Sequence, residues 1–342
     1  MLKHPIQKVM VLLLLAIGSV LGIIYLDVYK ENSIRIGFPI VASPDCEEMA
    51  FCVVPRRAGA SERQAYILKL GNGITKAMPI PGSRSVTGMG WRPGAPTPEL
   101  FVTTHSVDPG VPSHILAVTV SDGVSVALKD LSPDLIILGY LGWNPRGQIL
   151  ATSVAKIGKS HYLAISYDKG RDFVVTDIAV AAGKFIWTDD DTLYAYGRNV
   201  DGKCGILELD VYLKKLQVSR IISPSENARV VGKLDDKVVY RLDNDIYCAD
   251  ELIYHSNEKI GNAFACGSYV AFQVLPRQKG SYVSVIDRGG NIISKKKMVG
   301  NTIIIELSSV YKFVYLLKDL QSIQRYNFVD NGEISTIYKV TD

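Results

Sequence analysis

The sequence predicts an all-β fold built from consecutive four-stranded antiparallel units. From Ile34 onwards, short runs alternate apolar with polar side chains, are rich in Val, Ile, Tyr, Phe and Thr, and end at Gly, Asp, Asn or Pro. Alternation with a period of two, bounded by turn residues, is typical of strands and not of helices. With 47% hydrophobic and 21% charged residues, the 342-residue chain must also bury a large core, which excludes a disordered or fibrous protein.

A recurring hairpin sets the number of units. Seven segments consist of a strand, a polar turn and a second strand, with turns centred at Asn72, Asp122, Lys169, Val211, Asp250, Arg288 and Asn331. Their mean spacing is about 43 residues, which is the length that four short strands and their connections require. Residues 34–340 hold about seven such repeats. The sequence therefore predicts a seven-bladed β-propeller of four-stranded antiparallel blades over residues 34–342.

The tryptophans of the chain share one register of this repeat. Trp91, Trp143 and Trp187 each end the first strand of a unit, and Pro, Asp or Gly follows in the next turn. We expect each ring to fill the wedge between neighbouring blades. Segments 91–94 and 143–147, each followed by an apolar strand, resemble the repeat of TolB-type propellers, within the wider class of WD-repeat-like propellers. The resemblance implies a propeller fold and no particular activity.

One hairpin carries a second motif. Ser166, Asp168, Gly170 and Phe173 fit the pattern Ser-x-Asp-x-Gly-x-x-Phe, which resembles the Asp-box of sialidase-like propellers. We expect Asp168 to accept hydrogen bonds from the turn amides, Gly170 to adopt a positive φ, and Phe173 to pack beneath the turn. The resemblance implies a structural role for this turn and not a catalytic one.

The N-terminus carries an apolar segment. Residues 9–26 are 18 positions without a charge, preceded by Lys3 and Lys8. A helix of this length would measure about 27 Å, close to the roughly 30 Å of bilayer hydrocarbon. We expect 1–8 to be a short cytoplasmic tail, 9–26 a single-pass transmembrane signal-anchor helix and 27–33 a linker, which places 34–342 in the periplasm or outside the cell. A signal peptide cleaved after Gly22, giving a secreted protein, is the alternative.

Candidate catalytic and metal-binding residues lack the spacing that such sites need. The five histidines form no His-x-x-x-His pair, and no Gly-x-Ser-x-Gly element occurs in the sequence. The run 189–191 of three aspartates departs from the spacing of calcium loops, so we interpret it as a solvated turn. We therefore expect no catalytic residue, no cofactor and no metal site.

The charge of the chain bears on its class of partner, and its cysteine content bears on disulfide bonding. The net charge of +4, without a basic segment interleaved with aromatic residues, argues against nucleic acid binding. The five cysteines are too few for a disulfide scaffold, and we interpret them as buried small apolar residues, with a Cys46–Cys52 disulfide as the alternative.

Together these features favour a membrane-anchored, non-catalytic scaffold or accessory subunit that binds other envelope or membrane proteins. A hydrolase or lyase acting on glycans or peptides, and a sensor of carbohydrates or small ligands, are the alternatives. A deep funnel lined by paired carboxylates, or by arginines with a tyrosine, would favour the enzyme. An apolar patch on one face would favour the binding subunit.

Overall fold

The computed structural model describes residues 34–55, 62–70, 77–94, 99–105, 113–120, 124–131, 135–156, 161–199, 201–212, 215–276, 280–330 and 332–340. The secondary structure of these residues consists of 28 β-strands, numbered in chain order, and contains no α-helix. The predicted all-β architecture is therefore confirmed.

The strands divide into consecutive groups of four. The first three groups are β1 (Ile34–Ala42), β2 (Glu48–Pro55), β3 (Gln64–Lys69), β4 (Met78–Pro79); β5 (Val86–Arg92), β6 (Glu99–Thr104), β7 (Ser113–Thr119), β8 (Val124–Leu131); and β9 (Leu135–Trp143), β10 (Leu150–Lys156), β11 (His161–Ser166), β12 (Val174–Val180). Groups 4 and 5 are β13 (Ile186–Trp187), β14 (Thr192–Arg198), β15 (Cys204–Tyr212), β16 (Lys215–Ser223); and β17 (Ala228–Leu234), β18 (Lys237–Leu242), β19 (Asp245–Cys248), β20 (Glu251–His255). Groups 6 and 7 are β21 (Lys259–Cys266), β22 (Tyr269–Leu275), β23 (Ser281–Asp287), β24 (Ile292–Met298); and β25 (Thr302–Ser308), β26 (Phe313–Lys318), β27 (Ser322–Asn327), β28 (Ile334–Lys339).

Within each group, consecutive strands pair antiparallel. Groups 3 and 4 are joined by the end of β12, which pairs antiparallel with β14 through Ala179–Arg198 and Val180–Gly197. Two other pairs of neighbouring groups meet through their first strands, which run in the same direction. β5 pairs with β9 in parallel through Gly88–Gly139 and Met89–Tyr140, and β17 pairs with β21 through Gly232–Ala265. We call the end of the molecule at which the first strands finish the tryptophan face, and the end at which they begin the loop face.

The hydrophobic core lies between the groups. The described residues form seven clusters, and each cluster is shared by two groups that are neighbours in the chain, except one. The exception joins group 1 to group 7, with Ile36 and Phe51 on one side and Leu317 and Ile323 on the other. The amide of Ile36 also donates a 2.7 Å hydrogen bond to the carbonyl of Leu320. The first and last groups therefore pack against each other.

The two chain ends contribute to separate sheets. β1 pairs with β2 in the sheet β1–β4, and β25–β28 form a sheet of their own, so no described strand from one end joins the sheet of the other. The strand that begins at Ile34 thus opens the first group. Contact between the ends depends on side-chain packing together with the Ile36 backbone bond.

The predicted anchor, 9–26, lies outside the described residues, and no helix long and apolar enough to cross a bilayer is found within them.

The turn predicted at Val211 is wrong, because Val211 lies inside β15. It continues the buried alternation of Leu207 and Leu209 into the core between groups 3 and 4, so the strand extends to Tyr212.

Candidate functional site

Two cavities lie on the axis of the molecule, between the first strands of the groups. The tryptophan-side cavity has a volume of about 220 Å³ and is lined by residues of β1, β5, β9, β13 and β25. The loop-side cavity, of about 290 Å³, is lined mainly by β1, β9, β17, β21 and β25. Tyr140 and Lys184 line both cavities, so the cavities meet at these two side chains.

Lys184 forms the junction between the cavities together with three neighbours. Its ammonium nitrogen lies 3.7 Å from Oε2 of Glu306 and 3.9 Å from the ring centroid of Phe264. The ring centroid of Tyr140 lies 5.9 Å from the same nitrogen. The side chains of Lys184 and Glu306 are 22% and 20% exposed, so both charges are largely withdrawn from bulk water. An aromatic face and a carboxylate stabilise the cation in this position.

Burial perturbs the ionisation of this cluster. It lowers the pKa of the Lys184 ammonium, and the Glu306 carboxylate opposes this effect. Burial raises the pKa of the Tyr140 hydroxyl to about 12, with Glu306 acting in the same direction. Tyr140 therefore stays neutral at physiological pH.

The wall of the tryptophan-side cavity is mostly aromatic. Trp91, Trp143, Tyr140 and Phe185 line it, and Glu306 supplies the carboxylate at its inner end. Glycine residues let the first strands approach closely enough to enclose this space. A Cβ atom on Gly90 would lie 2.2 Å from the carbonyl oxygen of Leu141 in the next group.

The three predicted tryptophans are buried between groups, but only two line the cavity. The indole Nε1 of Trp91 donates to the carbonyl of Val41 at 3.1 Å, and Nε1 of Trp187 donates to the carbonyl of Gly142 at 3.0 Å. In both cases the indole of one group holds the first strand of the preceding group. Nε1 of Trp143 is buried without an acceptor among the described residues.

The Asp-box-like turn lies on the outer hairpin between β11 and β12, and its residues line neither axial cavity. Oδ1 of Asp168 accepts hydrogen bonds from the amides of Arg171 at 3.1 Å and Asp172 at 2.8 Å, and from Oγ of Ser166 at 2.8 Å. Gly170 has a φ of 84°. Phe173 packs against the cluster between groups 2 and 3. These contacts hold the hairpin together.

A third cavity lies on the loop face, away from the axis. It has a volume of about 670 Å³, and Arg198, Arg229, Tyr196, His161 and Glu226 contribute to its wall. The guanidinium carbon of Arg229 lies 4.6 Å from the Tyr196 ring centroid, and Nη1 donates to the carbonyls of Ala228 and Glu226 at 2.6 and 2.7 Å. This arginine is therefore engaged by the protein's own backbone.

The aspartate run and the cysteines have structural surroundings. Oδ1 of Asp189 accepts hydrogen bonds from the amides of Asp191 and Thr192 at 2.8 and 2.6 Å. Asp190 pairs with Arg146 at 2.5 Å, which links the turns of groups 3 and 4. No group of three or more metal-ligating side chains is assembled in the described part of the chain. All five cysteines are free thiols, so the alternative of a Cys46–Cys52 disulfide is not realised.

Sequence reasoning did not single out Lys184 or Glu306, although a signal existed for Lys184. In the segment that leads into β13, Phe185 and Trp187 are buried between groups, so the alternating Lys184 faces the axis. Glu306 carries no such signal, because the register of β25 shifts between Ile304 and Glu306 and its neighbours Ile305 and Leu307 pack into different clusters.

Comparison with known proteins assigns the fold. No protein-family profile and no curated protein matches the sequence. Among solved structures, the β-propeller domain of the trilobed protease from Pyrococcus furiosus is similar over 90% of this chain and 99% of that chain, with 14% identity and a TM-score of 0.60. That domain is described as having an open velcro topology. The chain is therefore a β-propeller, as its repeat and its resemblance to TolB-type propellers predicted.

Two further structures extend this comparison. An acylaminoacyl peptidase from Pyrococcus horikoshii matches 91% of this chain with 10% identity and a TM-score of 0.60. This chain spans 53% of that peptidase. TolB from Acinetobacter baumannii matches 77% of this chain and 62% of its own length, with 11% identity and a TM-score of 0.46. At such identities the likeness concerns the fold alone.

Proposed function

We propose that the chain is a closed seven-bladed propeller, anchored at the membrane by residues 9–26, which serves as a non-catalytic protein-binding subunit of an envelope complex. The hydrophobic clusters support the closed ring. Each of the seven groups shares a hydrophobic cluster with both of its neighbours, and the cluster between groups 7 and 1 completes the circle. The groups of four strands are then the seven blades.

Exposed apolar side chains on the tryptophan face carry the binding proposal. In groups 6 and 7, Ile292, Val310, Tyr311 and Val329 are 52, 67, 44 and 57% exposed. We call these four residues the apolar rim. Each lies in a turn at the tryptophan face or at the first residue after one. Clustered apolar side chains at one end of a soluble domain are typical of protein interaction surfaces.

The rim rests on a rigid base. The rings of Tyr269 and Phe328 contact each other with centroids 5.1 Å apart, and the Lys312 ammonium lies 4.5 Å from the Tyr269 centroid. The amide of Phe328 also donates to the carbonyl of Lys312 at 3.2 Å. These contacts join the turns of groups 6 and 7, so a partner would meet a preformed surface, which lowers the entropy that binding must overcome.

Site-specific photo-crosslinking in cells tests this proposal. We expect a photoreactive residue at Tyr311 or Val329 to give the same discrete protein adduct. Val299 is a matched control, because it is 76% exposed but lies between β24 and β25, at the loop face. The absence of an adduct at both rim positions, or the same adduct at position 299, would overturn the apolar rim as the binding surface.

The membrane topology needs a separate measurement. A C-terminal alkaline phosphatase fusion is active only after export, so we expect activity from the full-length chain and none after deletion of residues 9–26. Fractionation distinguishes the two forms of export, because an anchored protein stays with the membrane and a cleaved one is released. An inactive full-length fusion would exclude both the anchored and the cleaved, secreted form.

A further inference from the structure

We propose that the tryptophan-side cavity binds one small zwitterion with an apolar body, of the class of free apolar α-amino acids. Two observations lead to this ligand class: the spacing of Lys184 and Glu306, and the aromatic wall. This inference is independent of the protein-binding proposal, because the apolar rim lies on the outer turns while this cavity lies on the axis.

The first observation is that Lys184 and Glu306 face each other without forming a direct hydrogen bond. The Lys184 nitrogen and Oε2 of Glu306 are 3.7 Å apart, whereas a charge-assisted hydrogen bond of this kind measures about 2.7–2.9 Å. Both charges line the same cavity and are mostly withdrawn from water. Buried charges need partners of opposite sign. In an α-amino acid, a carboxylate and an ammonium group are attached to the same carbon atom. The carboxylate can therefore bind Lys184 while the ammonium binds Glu306.

The second observation concerns the size and chemistry of the wall. Trp91, Trp143, Tyr140 and Phe185 line a volume of about 220 Å³, enough for roughly seven water molecules at about 30 Å³ each. This space suits one amino acid. Apolar and aromatic walls with a few placed polar groups are typical of small-molecule sites, and they favour an apolar side chain on the ligand.

Calorimetry on the full chain tests the ligand class directly. The probes are L-phenylalanine and L-leucine, together with phenethylamine, which lacks the carboxylate, 3-phenylpropionate, which lacks the ammonium, and glucose as an uncharged ligand. We expect both amino acids to bind with one site per chain, and each truncated analogue to bind at least about tenfold more weakly, because it leaves one protein charge unpaired. Two of the three tryptophans line the cavity, so indole fluorescence should change on binding.

Variants locate the site. We expect Lys184→Met and Glu306→Gln each to weaken phenylalanine binding at least about tenfold, while Lys237→Met and Glu251→Gln, matched exposed changes outside the cavity, leave it unchanged.

If Lys184→Met or Glu306→Gln fails to fold, the series of ligands measured on the unmodified chain still decides the question. Failure of both amino acids to bind at millimolar concentration, equal binding of either truncated analogue, or tighter binding of glucose would each overturn the proposal. So would amino acid binding that Lys184→Met and Glu306→Gln, both folded, leave intact.

Discussion

Lys184 occupies a position in which its charge destabilises the folded protein. Removing a charged group from water costs several kcal/mol, and an attractive partner repays this cost only when the geometry is close. The Glu306 oxygen at 3.7 Å is a loose partner, and the Phe264 face at 3.9 Å contributes about 2 kcal/mol for a desolvated cation, less than the several kcal/mol that removal from water costs. A leucine would pack here at lower cost. The residue therefore makes more sense as part of a binding site than as a support of the fold.

The cysteines give a prediction at the same scale. Burial raises the pKa of the Cys52 thiol to about 12, although Arg63 acts in the opposite direction, and burial raises that of Cys46 to about 11. At pH 8 about one Cys52 thiol in ten thousand is then a thiolate, which is the reactive form. We expect iodoacetamide at pH 8 to leave both unmodified in the native protein and to label Cys204, which is half-buried and lines the loop-face cavity.

Peptide mass spectrometry after a short pulse of the reagent measures this pattern. Labelling of the unfolded chain in denaturant is the control, and there all five thiols should react at similar rates. Rapid native labelling of Cys52 would show that the strand pairing of β2 opens readily, which contradicts its full burial in the structure.

At the scale of the strand, glycine adjoins tryptophan for a steric reason. Gly90 precedes Trp91 and Gly142 precedes Trp143, so that the ring fills the wedge on one side of the first strand while the next group's first strand meets the other side. A Cβ on Gly142 would lie 2.4 Å from the Cβ of Phe185. Contacts this short do not occur between carbon atoms, so any side chain at Gly142 must separate groups 3 and 4.

This contact predicts the effect of a single methyl group. We expect Gly142→Ala to lower the free energy of unfolding by about 1–3 kcal/mol, because the first strands of groups 3 and 4 would have to move apart. Gly183→Ala is the matched control, since no atom lies within 4 Å of its Cβ position, and its effect should stay within about 0.5 kcal/mol. Urea denaturation of both variants measures the difference, and equal stability would contradict the close approach.

The turns of the outer hairpins could be predicted from the sequence in some groups but not in all. The alternation and the 43-residue rhythm placed the outer hairpins correctly where a polar turn interrupts the apolar pattern, as at Lys169 and Arg288. At Val211 the same rule misplaced the turn, because a residue whose neighbours are polar was kept in the strand by its burial between groups. Burial of that kind depends on the neighbouring blade and is invisible in a local pattern.

On the scale of the whole molecule, the site was harder to predict than the fold. The fold depends on local strand patterns that repeat, whereas the axial cluster joins residues from different groups: Tyr140 of β9, Lys184 before β13, Phe264 of β21 and Glu306 of β25. No spacing in the sequence relates these four, because their proximity depends on how four separate groups pack around the axis. Only the position of Lys184, which alternates with the buried Phe185 and Trp187, could have been predicted from the sequence.

Ring closure itself yields the last prediction. The first and last groups share no sheet among the described strands, so their interface depends on the cluster that contains Leu317, which is fully buried. We expect Leu317→Ala to cost about 2–5 kcal/mol and to raise amide hydrogen exchange in β1–β3 and β25–β28 together.

Leu207→Ala is the matched control for this experiment, because Leu207 is equally buried but lies in the cluster between groups 3 and 4. Its exchange changes should be confined to those two groups. Hydrogen–deuterium exchange with mass spectrometry on both variants distinguishes a ring joined by side chains from one joined otherwise. If Leu317→Ala left β1–β3 as protected as in the unmodified protein, the two ends would have to be held by contacts other than this cluster, and the closed ring would lose its main support.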